Sequence, residues 1–446
     1  MMRVRSWGLL SNDEHTVQAV SERSQVTAAL TSAAQAKTTS LAYGAGRSYG
    51  DVCLNPQGSL LLMRGLDKFI AFDQATGQLS CEAGVLLRDI QRLCVPRGWM
   101  LPVIPGTQYV TVGGAIANDV HGKNHHLRGS FGDHVVSLDL ARSSGEVLHL
   151  QADDTLMHAT LGGLGLTGVV LSATLQLRRV ASPWLTAQTI AYKNLDEFFA
   201  LCDASDTEWE HTVSWIDCLS GNNSAEQTRG IFLRANPLSA EQLVALDVSR
   251  LPQASTRLRQ MPFVPPMSLV NGLTLKPFNL LYYHLHRLKA GESVVHYEPF
   301  FHPLDNVAHW NRMYGPKGFY QYQCVVPRQD GQAAVQAMLR AIAQSGEGSF
   351  LAVLKTFGER QAKGLLSFPM PGVTLALDFP NRGERTLRLL ARLDAIVQQA
   401  GGRLYMAKEA RMSRSMFEAG YPRWQEFLTH RDPALSSAMS RRLMGW

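Results

Sequence analysis

Cysteine is scarce in this chain, with six residues in 446, at positions 53, 81, 94, 202, 218 and 324. No two are spaced as Cys-x-x-Cys, which excludes a thiolate zinc site and argues against a disulfide framework. That usage fits a reducing compartment. Also missing is any apolar run long enough to cross a bilayer. The start, Met1-Met2-Arg3-Val4-Arg5-Ser6-Trp7, has charge but no apolar stretch behind it, so a secretory signal is not expected. A cytoplasmic location follows, with any membrane association peripheral and on the inner face. Basic residues outnumber acidic ones only 43 to 37, without a long basic block, so nucleic acid is not an expected partner. The net charge of +6 still suits a phosphorylated substrate or an anionic membrane surface. Repeats and low-complexity tracts are absent too. What remains is 45% hydrophobic and 18% charged, the profile of a well-buried globular protein, and its length predicts two lobes.

Periodicity places the first elements. Val26 and Leu30, four apart among Ala and Ser, predict a helix over 21–36, and 38–43 reads as a strand entering Gly44-Ala45-Gly46. Residues 68–84 read as a hairpin turning at Ala75-Thr76-Gly77, and 85–93 have helical spacing. From 101 to 132 the chain is rich in Gly, Asn and His and poor in helix signals, as expected of backbone pinned by a ligand. Strands are predicted over 138–150 and 168–178, with a helix near 154–160. After about residue 185 come helices over 195–202 and 333–343, strands over 350–356 and 373–379, and a Pro-rich apolar stretch over 261–283. A helix over 387–400 stops at Gly401-Gly402, and 403–406 reads as a strand. The expected class is α+β. An N-terminal lobe spans 1–185, an inserted α+β lobe with an antiparallel sheet spans 186–402, and 403–446 returns to the first.

Three motif matches point the wrong way. Gly46-Arg47-Ser48-Tyr49-Gly50 fits the hydrolase elbow, but Asp51 to Pro56 do not start the helix that the elbow requires. Gly163-Leu164-Gly165-Leu166-Thr167-Gly168 fits the dinucleotide fingerprint with its flanks inverted, helix before and strand after. These glycines suit a tight packed turn, or one that brings backbone close to a cofactor held elsewhere. His121, His125, His126 and His134 lack a carboxylate or Cys at a familiar metal-ligand spacing, so no metal is expected.

A pyrophosphate bound without a Rossmann turn needs loops whose N–H groups can converge on it. Gly44 to Ser48 supply one, Pro105-Gly106-Thr107 with Thr111 to Asn118 a second, and 162–168 a third. In that order these loops resemble the FAD-binding domain of the vanillyl-alcohol-oxidase (p-cresol methylhydroxylase) superfamily. The resemblance continues through Asp119-Val-His-Gly-Lys-Asn-His-His126, Gly129-Ser-Phe-Gly132, Gly318-Phe-Tyr-Gln-Tyr-Gln323, Asp378-Phe-Pro380 and Arg403-Leu-Tyr-Met-Ala-Lys408. It covers essentially the whole chain. Within the superfamily the chain is similar to the decaprenylphosphoryl-β-D-ribose 2′-oxidases, the oxidising half of a ribose-to-arabinose epimerase.

The resemblance implies a two-lobed FAD-dependent oxidoreductase. It would oxidise a sugar ring hydroxyl on a polyprenyl-phosphate-linked pentose, in cell-envelope polysaccharide synthesis. A separate NAD(P)H-dependent reductase partner would complete the epimerisation. It assigns cofactor contacts to Gly44, Ala45, Gly46, Arg47, Ser48, Tyr49, Gly50, Asp51, Gly106, Thr111, Val112, Gly113, Gly114, Asn118, Asp119, Val120, His121, Val170 and Tyr405. Many relatives carry a flavin-linked His in the first loop. Arg47-Ser48-Tyr49 has none, so non-covalent FAD is expected. Alcohol oxidation moves a hydride to the flavin while a base takes the hydroxyl proton, and a cation stabilises the charge that develops. Lys408 is expected in the charge role and in gripping substrate, with His121 as the base or as a group that orients the hydroxyl. Tyr49, Gln321, Gln323 and Lys355 would orient the sugar, Lys355 also meeting a phosphate. Ala376 stands where actinobacterial relatives have a Cys, and Thr374 where they have Asn, so sensitivity to thiol-directed inhibitors is not expected. Asn118 likewise replaces a Cys. The 261–283 stretch falls where relatives have a substrate loop, and its apolar groups would meet a prenyl chain or membrane surface, or else pack as a lid. The alternatives are an aldonolactone or alditol oxidase acting on a soluble sugar, and a flavin-binding subunit without turnover.

Overall fold

The computed structural model describes residues 1–220, 228–253 and 259–445. Two sheets form the N-terminal part. One runs in the order Met2–Arg3, Glu14–Ala19, Ser59–Leu62, Ser40–Tyr43, its last three strands parallel. The helix Arg23–Gln35 covers it by burying Val26 and Leu30 against Leu61 and Leu171. The other is antiparallel, in the order Phe69–Asp73, Gln78–Glu82, Val169–Gln176, Val135–Ala141, Val147–Gln151. The helices Leu87–Cys94 and Val112–Ala117 share its core through Ile90, Val112 and Ile116.

The third sheet has eight antiparallel strands: Gly291–His296, Trp184–Tyr192, Gly230–Pro237, His211–Ile216, Ala352–Phe357, Gly372–Pro380, Phe319–Val326 and Arg403–Leu404. Side chains alternate between faces along a strand, so the register sorts them. One face of the three strands Ala352–Phe357, Gly372–Pro380 and Phe319–Val326 presents Leu354, Leu375, Leu377, Phe379, Tyr322, Cys324 and Val326. These pack under the helices Arg328–Ser345 and Glu384–Gln399, whose Val335, Met338, Ile342, Leu389 and Leu393 complete the core. Each fully buried Leu or Phe there contributes about 1.5–3 kcal/mol. The opposite face carries Gln321, Gln323, Thr374, Ala376, Asp378 and Lys355, and it faces the loops of the N-terminal part.

Two regions differ from expectation. The stretch 138–150 is two strands, Val135–Ala141 and Val147–Gln151, because Gly145 at φ +94° reverses the chain between them. Much of 261–283 is helical, in Gly272–Leu288. Asn271 caps it by accepting from Leu273 N at 3.0 Å, and Thr274 completes the capping box. Pro277 is tolerated in its second turn. Leu275, Asn279 and Tyr283 are buried, with Asn279 Nδ2 donating to Asp217 Oδ1 at 2.8 Å. Leu273, Leu280, Leu281, Leu285 and Leu288 point outward and are exposed. No described helix is long and apolar enough to cross a membrane.

After Arg403–Leu404 the chain runs back along the first glycine loop. Tyr49 N donates to Ala407 O at 3.0 Å. Arg442 clamps Asp51 at 2.8 Å and Glu409 at 3.0 Å.

Candidate flavin and substrate site

The polar face of the large sheet forms the floor of the site, and the turn 118–123 forms its wall. Gln321 and Gln323 share that face because they are two apart on one strand. Their register partners Asp378 and Ala376 lie directly across, with Lys355 opposite Thr374 one strand further. Gln323 Nε2 lies 3.0 Å from His121 Nε2 and donates to Thr374 Oγ1 at 3.3 Å. With the amide donating to Nε2, the proton of the neutral ring sits on Nδ1, a buried atom with no protein partner. Aromatic rings hold His121 in place: Phe357, Phe368 and Tyr405 all lie within 5.5 Å of it, centroid to centroid. Lys355 Nζ donates to Gly122 O at 2.7 Å. Lys408 Nζ sits 4.1 Å above the Tyr49 ring, a cation–π contact.

Burial sets the charges. It lowers Lys355 to about 7, helped by Lys123 and Lys408. It lowers Lys408 to about 8 against the opposing pull of Asp378, and raises Asp378 to about 6. Burial and the neighbouring Lys355, His125 and Lys408 hold His121 far below its ordinary value, so the ring is neutral at working pH. The site thus offers two lysines titrating near neutrality, a neutral imidazole and two oriented amides. That set suits binding several hydroxyls and moving one proton.

The glycine loops converge beside this floor. Gly44 must lack a side chain because a Cβ would meet Thr111 Oγ1 at 2.4 Å, and at Gly50 one would meet Glu409 O at 1.7 Å. Thr111 accepts from Gly114 N at 3.1 Å, capping Val112–Ala117. Among the described residues, no backbone carbonyl takes the N–H groups of Gly44, Ala45, Gly46, Arg47 or Ser48. Arg47 Nε, Asn118 Oδ1, His121 Nδ1 and Gln321 Oε1 are buried without a hydrogen-bond partner among the described residues. A Cβ at Gly106 would meet nothing within 4 Å. Free donors, unsatisfied buried polar atoms and open space at a glycine fit a dinucleotide lying across these loops. The Tyr405 hydroxyl donates to Asn118 O at 3.0 Å, and its ring stacks on Phe368.

Some expected contacts are left to backbone alone. The Asp119 carboxylate is taken by Ser130, Gly132 and Ser367, and that of Asp51 by Arg442. Val112 and Val170 bury their side chains in the core. In the 162–168 turn, Gly162 N and Leu164 N donate to Ile116 O and Ala117 O, so it buttresses Val112–Ala117 and leaves few donors for a ligand. The histidines are dispersed: His126 bonds Trp209 O, His134 bonds Arg128 O, and His125 packs on Phe357. Asp378, Tyr314 and Lys123 escaped the sequence reading as site residues. Lys123, lowered to about 7 by burial, lies over the Phe300 ring at 4.5 Å. The alternating Gln-Tyr-Gln was the available signal for one polar face.

Comparison with known proteins agrees with this geometry. A family described as "FAD binding domain" matches residues 15–151. Decaprenylphosphoryl-beta-D-ribose oxidase of Mycolicibacterium smegmatis is 36% identical over 99% of this chain and 97% of its own. An uncharacterised protein of Streptomyces coelicolor is 34% identical over 80% of this chain and 100% of its own. L-gulono-1,4-lactone dehydrogenase of Mycobacterium tuberculosis is 31% identical over 35% of this chain and 37% of its own.

Proposed function

This chain belongs to the PCMH-type FAD-binding oxidases, and from that premise we propose that it oxidises a ring hydroxyl of a polyprenyl-phosphate-linked pentose to a ketone. The observation that carries this is the joining of hydroxyl-binding groups and the half-buried Lys355 on one sheet face, with the outward-facing apolar helix Gly272–Leu288 packed on the same sheet. Gln321, Gln323 and Thr374 offer amides and a hydroxyl for a sugar, and Lys355, lowered to about 7, offers an amine that can take the hydroxyl proton. Leu275 and Val270, at the start of Gly272–Leu288, pack in one cluster with Tyr49. The exposed leucines of that helix therefore continue outward from the site, an apolar path for a prenyl chain.

FAD, when bound, supplies the two-electron acceptor. Lys408 binds the reacting hydroxyl and holds positive charge beside the centre where electron density accumulates. His121 is kept neutral and oriented by Gln323, so it meets the hydroxyl as an uncharged partner. Lys355, poised near neutrality, receives a proton at Nζ without a large cost. The absence of His from 47–49 supports dissociable flavin. A ketone product calls for a separate NAD(P)H-dependent reductase to finish an epimerisation.

The test begins with acid precipitation of the yellow protein, which should release FAD into the supernatant. Anaerobic mixing with farnesylphosphoryl-ribose should then bleach the flavin, and L-gulono-1,4-lactone should not. Bleaching by the lactone alone would favour the second reading, an aldonolactone oxidase, for which the gulonolactone dehydrogenase similarity speaks. Bleaching by neither, with FAD bound, points to a flavin-binding subunit without turnover.

A further inference from the structure

Asp378 is a buried carboxylate, 1% exposed, in the middle of the site floor. The register places it opposite Gln321. Its Oδ1 accepts from Gln321 Nε2 at 2.6 Å and its Oδ2 from Tyr314 Oη at 3.4 Å, while its own N–H donates to Ser349 Oγ at 3.1 Å. All these donors are neutral, so they fix the carboxylate without cancelling its charge. The same Gln321 amide lies within hydrogen-bonding reach of the Tyr49 phenol, over whose ring Lys408 sits. Gln321 has one more polar atom. Oε1 is buried, has no hydrogen-bond partner among the described residues and is an acceptor.

We propose that Asp378 is a positioning residue of this site. By accepting from Gln321 Nε2 it turns the amide so that Oε1 is held as the acceptor for a substrate hydroxyl. That role rests on the oxidase reading above; an electrostatic consequence, that the Asp378 charge favours the ammonium form of Lys408, does not. The groups acting on this pair are Tyr49, Tyr314, Lys355 and His121. Both phenols are raised by burial, and the imidazole is neutral. Asp378 gains its proton as pH falls through about 6, and Lys408 loses its own as pH rises through about 8. The charged pair therefore exists between those limits.

The experiment uses the FAD-loaded protein with 13Cε-labelled lysine, the Lys408 signal being assigned by its loss in Lys408→Arg. In Asp378→Asn the Lys408 midpoint should fall by about one pH unit, a tenfold loss of proton affinity. Flavin reduction by farnesylphosphoryl-ribose should slow at equal flavin content. Asp378→Glu should restore both. Reduction at the parental rate by an Asp378→Asn variant that holds FAD overturns the proposal, and an unmoved lysine midpoint overturns its electrostatic consequence. Should that variant lose flavin, Gln321→Leu decides: the carboxylate stays, so reduction slows while the Lys408 midpoint holds, and a midpoint that drops overturns it. If farnesylphosphoryl-ribose fails to reduce even the parent protein, the substrate reading fails, and the lysine titration still tests Asp378.

Discussion

Lys408 is half-buried, with its ammonium over the Tyr49 ring and the charge of Asp378 favouring the protonated form. A group placed so as to meet charge that develops during reaction should affect the rate more than cofactor retention. Lys408→Met is therefore expected to bind FAD normally and to lose on the order of 100-fold or more in the rate of flavin reduction. Stopped-flow bleaching beside a flavin content assay measures both; a variant that loses flavin while its residual rate is normal would make Lys408 a cofactor anchor instead. The residues around it were unequally legible. Lys408, His121 and the two glutamines fall within motifs whose residue types announce polar chemistry. Asp378 sits in an apolar run, Val373 to Phe379, and only strand register shows that it faces Gln321 and not the helices behind.

At the scale of elements, the helix Gly272–Leu288 is the departure that matters most. Its inner positions Leu275, Asn279 and Tyr283 anchor it, and its outer leucines stay exposed, Leu273 at 88% and Leu288 at 80%. Lys276, Arg287 and Lys289 accompany them, with no acidic residue between Asp247 and Glu292. Such a face suits the boundary layer of an anionic bilayer, with the helix lying in its plane. Replacing Leu281 and Leu285 together by Glu should abolish co-sedimentation with phosphatidylglycerol vesicles while flavin content and thermal midpoint stay level. Equal sedimentation of both proteins would leave the leucines to the prenyl chain alone. This helix was hidden because apolar residues on both faces erase the 3.6-residue contrast, and the prolines at 262, 265, 266 and 277 read as loop. Elements with one clear face, such as Arg23–Gln35 and the hairpin Phe69–Asp73 with Gln78–Glu82, were plain in the sequence. The eight-stranded sheet was not. Its strands pair across separations as long as that from Ser214 to Leu354, and no local pattern encodes that order.

Across the whole molecule, the first glycine loop is braced from the far end of the chain. Arg442 bridges Asp51 and Glu409, whose side chains are 21% and 4% exposed. Removing the cation leaves two carboxylates facing each other, a loss on the order of 3 kcal/mol. Arg442→Met should melt earlier and bind FAD more weakly. Burial already raises Asp51 above its ordinary value, so lowering the pH protonates it sooner and relieves the repulsion. The gap in melting temperature between variant and parent should thus narrow from pH 8 to pH 5; a gap that widens would show that the loss is not electrostatic.

Asp51 and Arg442 are 391 residues apart. A ribosome makes the loop well before its brace, so in the interval the emerging chain carries the loop without its support. Cofactor loading should then follow the docking of Arg442, and a cell short of FAD should accumulate folded, empty protein.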